Sequence, residues 1–205
     1  MMKKDSLLQT LQSHQPGFLG MPHVKHYSII LPIIEKNNEL HLVFEVRSLH
    51  MRRQPGEICF PGGRVDEKDP HPEATALREM EEEIGVEQSR VKNLFELGTM
   101  VTPFGLKLNA FAGLIDNVQE WKLNPMEVDE VFTVPLQFFF ENQPEKHYIH
   151  IEVTPDQDFP YESIQNGKDY QWQKVPYEEN FYYYEGRVIW GLTARVLKDF
   201  IKVLK

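Results

Sequence analysis

The chain has 205 residues, a formal net charge of −9 and 41% hydrophobic residues. That length predicts one domain over residues 1–205 with room for a sizeable core, and the acidic balance argues against nucleic acid or an anionic membrane as partner. A lone cysteine, Cys59, excludes an internal disulfide and fits a reducing cytoplasm, and no run reaches the ~20 apolar residues of a membrane span.

In chain order, Asp5 is expected to cap a short helix through Gln12 that ends at Pro16-Gly17, making residues 1–25 a helical extension. From His26 the period changes to that of a strand, with Asn37-Asn38 as a turn and Leu40–Val46 as the hairpin partner. Pro72 opens a helix that Gly85 closes. Strands are then expected at Leu94–Val101, Leu106–Ile115 and Val128–Val134, followed by a short helix from Pro135 to Glu141. Tyr148–Val153 and Asn180–Tyr184 read as later strands, and Ile189–Leu204 as an amphipathic terminal helix. Thr154–Glu179 is expected to be a surface excursion, either functional or mere decoration. Strands dominate and helices come singly, which predicts an α+β fold with mixed sheets.

The chemistry is concentrated in the helix after Pro72. At about 100° per residue, Glu83 falls about 40° to one side of Glu79 and Glu82 about 60° to the other. Leu77 and Ile84, flanked by Ala74 and Met80, are expected on the packing face. Carboxylates so spaced repel one another, and a divalent cation with a preference for oxygen would convert that repulsion into ligation. Charge counting alone leaves a solvated acidic face as the alternative. Upstream, Arg47, Arg52 and Arg53 leave the second strand; guanidinium groups there would grip phosphate oxygens or simply be solvated.

Arg78 to Val86, R-E-M-E-E-E-I-G-V, resembles the core of the Nudix box, with Gly63 as its leading glycine. The resemblance implies an α/β/α sandwich of mixed sheets in which the box forms a loop-helix-loop. It implies Mg²⁺ or Mn²⁺ held by Glu79, Glu82 and Glu83 with help from the Gly62 carbonyl, and Arg78 bracing the glutamates. One departure is visible: the usual box has a glutamate where this chain has Pro70, and Asp69 stands one place earlier. The stretch from Val43 to Gly63 is similar to the motif that precedes the box in coenzyme A pyrophosphatases, R-S-x3-R-x3-G-x3-F-P-G-G. Arg47, Ser48, Arg52, Gly56, Phe60 and Gly63 match it and are the implied substrate-binding positions. Glu45 departs from the pattern, standing where threonine is usual, and is expected to disturb the substrate grip at that edge.

The implied reaction is metal-dependent hydrolysis of a pyrophosphate bond, in coenzyme A or an acyl-CoA. The products would be 3′-phosphoadenosine 5′-phosphate and (acyl-)4′-phosphopantetheine. A pyrophosphatase for ADP-ribose and a non-catalytic ligand sensor are the alternatives. The implied partner is a small CoA-like nucleotide, with a homodimer suggested only by family habit. Glu127 and Glu130 are candidates for an extra metal ligand or the general base, or else have structural or solvent-facing roles. Trp190 is expected to pack in the core, with adenine stacking as its alternative.

Overall fold

The chain is described here from a computed structural model that covers residues 4–14, 24–116 and 120–205. Helix α1 (Lys4–Gln12) forms as its spacing predicts, but none of its residues is buried. The break expected at Pro16-Gly17 lies outside the described residues.

Strands β1 (Lys25–Lys36) and β2 (Glu39–Arg47) form a hairpin in the register Ile33 opposite Leu42. Asn37 and Asn38 both take positive φ, 55° and 62°, which gives the turn the twist that a tight hairpin needs. Two very short strands follow, β3 (Ile58–Cys59) and β4 (Gly62–Arg64). Neither is long enough to leave a periodic signal in the sequence. β3 pairs antiparallel with the end of β2, with Cys59 opposite Glu45, while β4 pairs with the first half of β1, with Gly62 opposite Ile29. The neighbour of β1 therefore switches from β2 to β4 partway along the strand.

Helix α2 (Pro72–Ile84) crosses over to β5 (Val91–Thr102) and β6 (Leu106–Ile115). β6 runs parallel to β1, the arrangement that a long crossover permits. With β7 (Val128–Pro135) added to β2, the result is a seven-stranded mixed sheet ordered β3-β2-β1-β6-β5, with β4 on β1. Helix α3 (Leu136–Glu141) leads to a three-stranded antiparallel sheet of β8 (Glu145–Glu152), β9 (Lys174–Tyr184) and β10 (Arg187–Ile189). Helix α4 (Gly191–Val203) closes the fold. The excursion expected at Thr154–Glu179 is shorter than that, because residues 174–179 belong to β9. Their side chains are mostly exposed or half-buried, so alternation of hydrophobicity is missing there.

The large sheet is covered on both faces, as the sandwich reading requires. Leu31, Ile33, Leu42 and Phe44 face one core, filled by Phe139, Tyr182, Ile189 and by Ala194, Leu197, Phe200 and Ile201 of α4. Ile30, Phe111, Ile115 and Val128 face the other, where Ala76, Met80 and Ile84 of α2 pack. On α2 the packing face is thus turned from the expected one: Ala76 is fully buried, whereas Ala74 and Leu77 are only half-buried. Trp190 is not in a core; it is 41% exposed and stacks on Phe181 with centroids 5.8 Å apart. No helix among the described residues is long and apolar enough to cross a membrane.

Gly85 ends α2 at φ 70°, and its N–H closes on the Glu81 carbonyl. A Cβ there would also lie 2.5 Å from the Cβ of Lys122. Gly85→Ala should therefore lower stability by at least the ~1–2 kcal/mol that a left-handed residue costs, read as a fall in the urea midpoint at unchanged m-value.

Candidate active site

Helix α2 starts cleanly because His71 accepts the Ala74 N–H on its Nδ1 and Pro72 occupies a position that needs no hydrogen-bond donor. Its first turn is tied to β1 by the fully buried Ser28 hydroxyl, which donates to the Pro72 carbonyl at 2.6 Å. At its far end, the orphan carbonyls of Glu83 and Ile84 accept the N–H groups of Asn124 and Lys122. The helix is thus pinned at both ends before its acidic side chains are considered.

Those side chains are not equivalent. Glu83 lies beside Ile84 and is drawn down with it, to 4% exposure. Its Oε2 accepts the Gly62 N–H at 2.8 Å. Glu79 is nearer the surface and takes the Arg78 guanidinium at 2.8 Å, while Glu82 is 56% exposed and 3.5 Å from Arg78. Gly63 sits directly against Glu79: a Cβ at that position would meet the carboxylate at 2.3–2.5 Å. That contact is the physical reason for the leading glycine.

The acid that the lengthened loop displaced has a definite task. Asp69 receives Arg78 Nη2 at 2.9 Å and Nε at 3.2 Å, and also the Thr75 hydroxyl at 2.8 Å and the Asp66 N–H. The Arg78 hydrogen bonds hold its carboxyl well below the usual carboxylate range. Asp69 is therefore what orients Arg78, which in turn faces Glu79 and Glu82.

Two further carboxylates bear on the box: Glu127, a candidate extra ligand or general base from the sequence, and Glu45, expected at a substrate edge. Glu127 is half-buried on the segment between β6 and β7; Asn124 donates to its Oε2 at 3.1 Å, and its carbonyl accepts the Ser48 N–H at 2.8 Å. Glu45 is 1% exposed, and β2 alternation places it on the α2 face of the sheet, opposite to Phe44. Burial weakens the acidity of Glu83, Glu79 and Glu45; repulsion from Glu45, Glu79 and Glu127 adds to it at Glu83 and from Glu127 and Glu79 at Glu45, while at Glu79 the Arg78 guanidinium opposes it.

Several expected substrate contacts are placed otherwise. Ser48 is 2% exposed and spends its hydroxyl on the Pro125 carbonyl, so it holds the Glu127 loop. Phe60 is 3% exposed and stacks on Phe44 at 4.7 Å; it is a core residue. Glu130 is paired with Arg187 at 2.5 Å, away from the acidic group. Glu45, expected at a substrate edge, points inward instead. Arg47 is half-buried and close enough to Glu45 to offset part of its burial cost. Arg52 and Gly56 are exposed on the loop that Arg47 and Gly56 close by backbone hydrogen bonding; Arg52 and Arg53 have no carboxylate partner among the described residues.

A cation suits this chemistry. The donors are hard carboxylate oxygens crowded into a poorly solvated cleft, and the buried Glu45 Oε2 has no hydrogen-bond partner. Among the described residues no three His, Cys, Asp or Glu side chains stand close enough together to hold a metal ion as they are, so a cation would have to draw these carboxylates inward.

Comparison with known proteins agrees with the box. The NUDIX domain family matches residues 24–172, and the chain therefore belongs to the Nudix family. It is a Nudix hydrolase, an enzyme of the pyrophosphatase class, with the box acids in place. It is 38% identical over 117 residues to the mouse (Mus musculus) peroxisomal coenzyme A diphosphatase NUDT7, a match covering 57% of this chain and 50% of that protein. It is also 31% identical over 173 residues to the Nudix hydrolase NudL of Photorhabdus laumondii, covering 84% and 81% of the two chains. A MutT/nudix family protein from Enterococcus faecalis shares the fold, with a TM-score of 0.52 at 16% identity over 98% of this chain and 68% of that one.

Two outcomes are expected. Glu83→Gln should abolish turnover while leaving apo stability unchanged or slightly higher, since it removes one of several mutually repelling charges; wild-type kcat at saturating Mg²⁺ would contradict this. Asp69→Asn should cost about 1.5–3 kcal/mol at neutral pH. Because the folded-state carboxyl is held below its unfolded value, that stabilisation is present above about pH 4 and fades as the pH falls further. Urea curves of the two proteins should therefore converge in acid.

Proposed function

We propose that the protein hydrolyses the pyrophosphate of coenzyme A or an acyl-CoA, releasing 3′-phosphoadenosine 5′-phosphate and (acyl-)4′-phosphopantetheine. The observation that carries this reading is the R-S-x3-R-x3-G-x3-F-P-G-G stretch, whose loop exposes Arg52 and Arg53 without a carboxylate partner among the described residues. The name of the mouse relative, a coenzyme A diphosphatase, points the same way.

Glu79, Glu82 and Glu83 would hold Mg²⁺ or Mn²⁺, with the Gly62 carbonyl beside them. When bound, such a cation polarises phosphoryl oxygens and acidifies an attacking water. Arg78, set by Asp69, keeps Glu79 in place against Gly63. Arg47 and Arg52 supply positive charge to the diphosphate oxygens as charge develops in the transition state. Glu127 is the later-loop carboxylate that reaches the box acids, and Asn124 and Ser48 hold it there to accept the proton of the attacking water. The free, half-buried Cys59 fits a reducing compartment such as the cytoplasm.

The decisive assay compares CoA, dephospho-CoA and ADP-ribose with Mg²⁺. CoA is expected to exceed dephospho-CoA by one to two decades in kcat/KM, the value of one charge-assisted contact of about 1.5–3 kcal/mol. Arg52→Ala should lower kcat/KM for CoA about ten- to hundredfold while Mn²⁺ binding is retained. A preference for ADP-ribose would reject the CoA reading and leave the hydrolase class standing.

A further inference from the structure

Glu45 is the one position of the upstream stretch where this chain exchanges a neutral residue for a carboxylate, and its placement is unusual. It lies in the interior of β2, between Phe44 and Val46, at 1% exposure. Isolated buried carboxylates cost several kcal/mol, and folds keep them when they are paired, bind an ion or take up a proton. Among the described residues Glu45 makes one hydrogen bond: its Oε1 accepts the Cys59 thiol at 3.2 Å. A thiol is a weak donor and satisfies little of a carboxylate. The other oxygen, Oε2, is fully buried and has no hydrogen-bond partner among the described residues.

Strand geometry says where that oxygen is directed. Side chains on β2 alternate, so Leu42 and Phe44 join the core beneath α4, while Glu45 is turned to the opposite face, toward α2. There Glu83, Glu79 and Glu127 are all close enough to interact with it or its neighbours electrostatically. Arg47 is the cation near it, and the Arg47 Nε is itself buried without a partner. Direct neutralisation of Glu45 by a hydrogen-bonded ion pair is therefore not what the fold has built. A purely apolar site would have been served by the valine and isoleucine that surround it along the strands.

We propose that Glu45 is an additional member of the divalent-cation site, its unpartnered Oε2 supplying anionic oxygen from the sheet side while the box glutamates supply theirs from α2. This rests on the reading of Glu79 and Glu83 as metal ligands and extends it by one residue outside the box. The cation is thereby gripped between two layers of the sandwich, so its binding also fastens α2 to β2.

The test uses the full chain and Mn²⁺ alone. Free aquo-Mn²⁺ is followed by electron paramagnetic resonance during titration of wild type, Glu45→Gln and Glu79→Gln, and Tm is recorded with and without Mn²⁺. Glu45→Gln keeps the side-chain shape and an acceptor for Cys59. It is expected to weaken Mn²⁺ binding about ten- to hundredfold, to shrink the Mn²⁺-induced rise in Tm, and to raise Tm in the metal-free protein. Unaltered Mn²⁺ affinity in Glu45→Gln beside a weakened Glu79→Gln would overturn the role of Glu45 and leave the box site intact. Unaltered affinity in both would overturn the cation site as a whole. Should Glu45→Gln not fold, Glu45→Thr, carrying the residue usual at this position of the motif, enters the same titration with the same expected loss.

Discussion

Helix α2 must bury Met80 and Ile84 against the sheet, and Glu83 occupies the position between them that goes down as well. Carboxylates within a poorly solvated cleft repel strongly because little water remains to screen them. The rest of the site answers to that constraint. A backbone N–H from Gly62 takes one oxygen of Glu83, and β4 is present as a strand largely to aim that group. The segment after β6 returns to satisfy the last carbonyls of the helix, and in doing so delivers Glu127 to the same place. On the proposed reading, repulsion among these carboxylates is what would give a divalent cation its advantage there.

Positive charge is supplied sparingly and with direction. Arg78 is fixed by two hydrogen bonds to Asp69, an acid on the loop and not on the helix, so the guanidinium reaches Glu79 and Glu82 from a set angle. Arg47 lies at the inner end of the following loop, whereas Arg52 and Arg53 are out in solvent. In a chain with net charge −9, Arg47 and Arg78 thus bring positive charge locally to the acidic group on α2 and β2. Long-range attraction is not needed when the local field is reversed over a few ångströms.

The parts farthest from this cleft follow different rules. Helix α1 exposes its leucines, and β8 is exposed along most of its length, so neither contributes to the two cores described above. The segment between β8 and β9 is held instead by a local aromatic group, Phe159, Tyr161, Tyr170 and Trp172. Such a group orders a loop without demanding hydrophobic alternation in its flanking strands.

What the amino-acid order determined was local and periodic. Asn37-Asn38 could only turn, Gly85 could only end a helix, and the spacing of Glu79, Glu82 and Glu83 put three carboxylates on one side of α2 whatever it packed against. The two arginine positions and the glycine pair before the box were readable because they are spaced along a single stretch. Tertiary structure decided which carboxylate would be buried, because that depends on how far α2 rolls on the sheet, and the roll is set by Ala76, Met80 and Ile84 together. It also decided that Ser48 and Phe60 face inward, that Asp69 serves Arg78, and that Glu45 lies under α2 instead of at a substrate edge. Each of those outcomes involves partners distant in sequence or a choice of strand face set by register, and neither is written in any one segment.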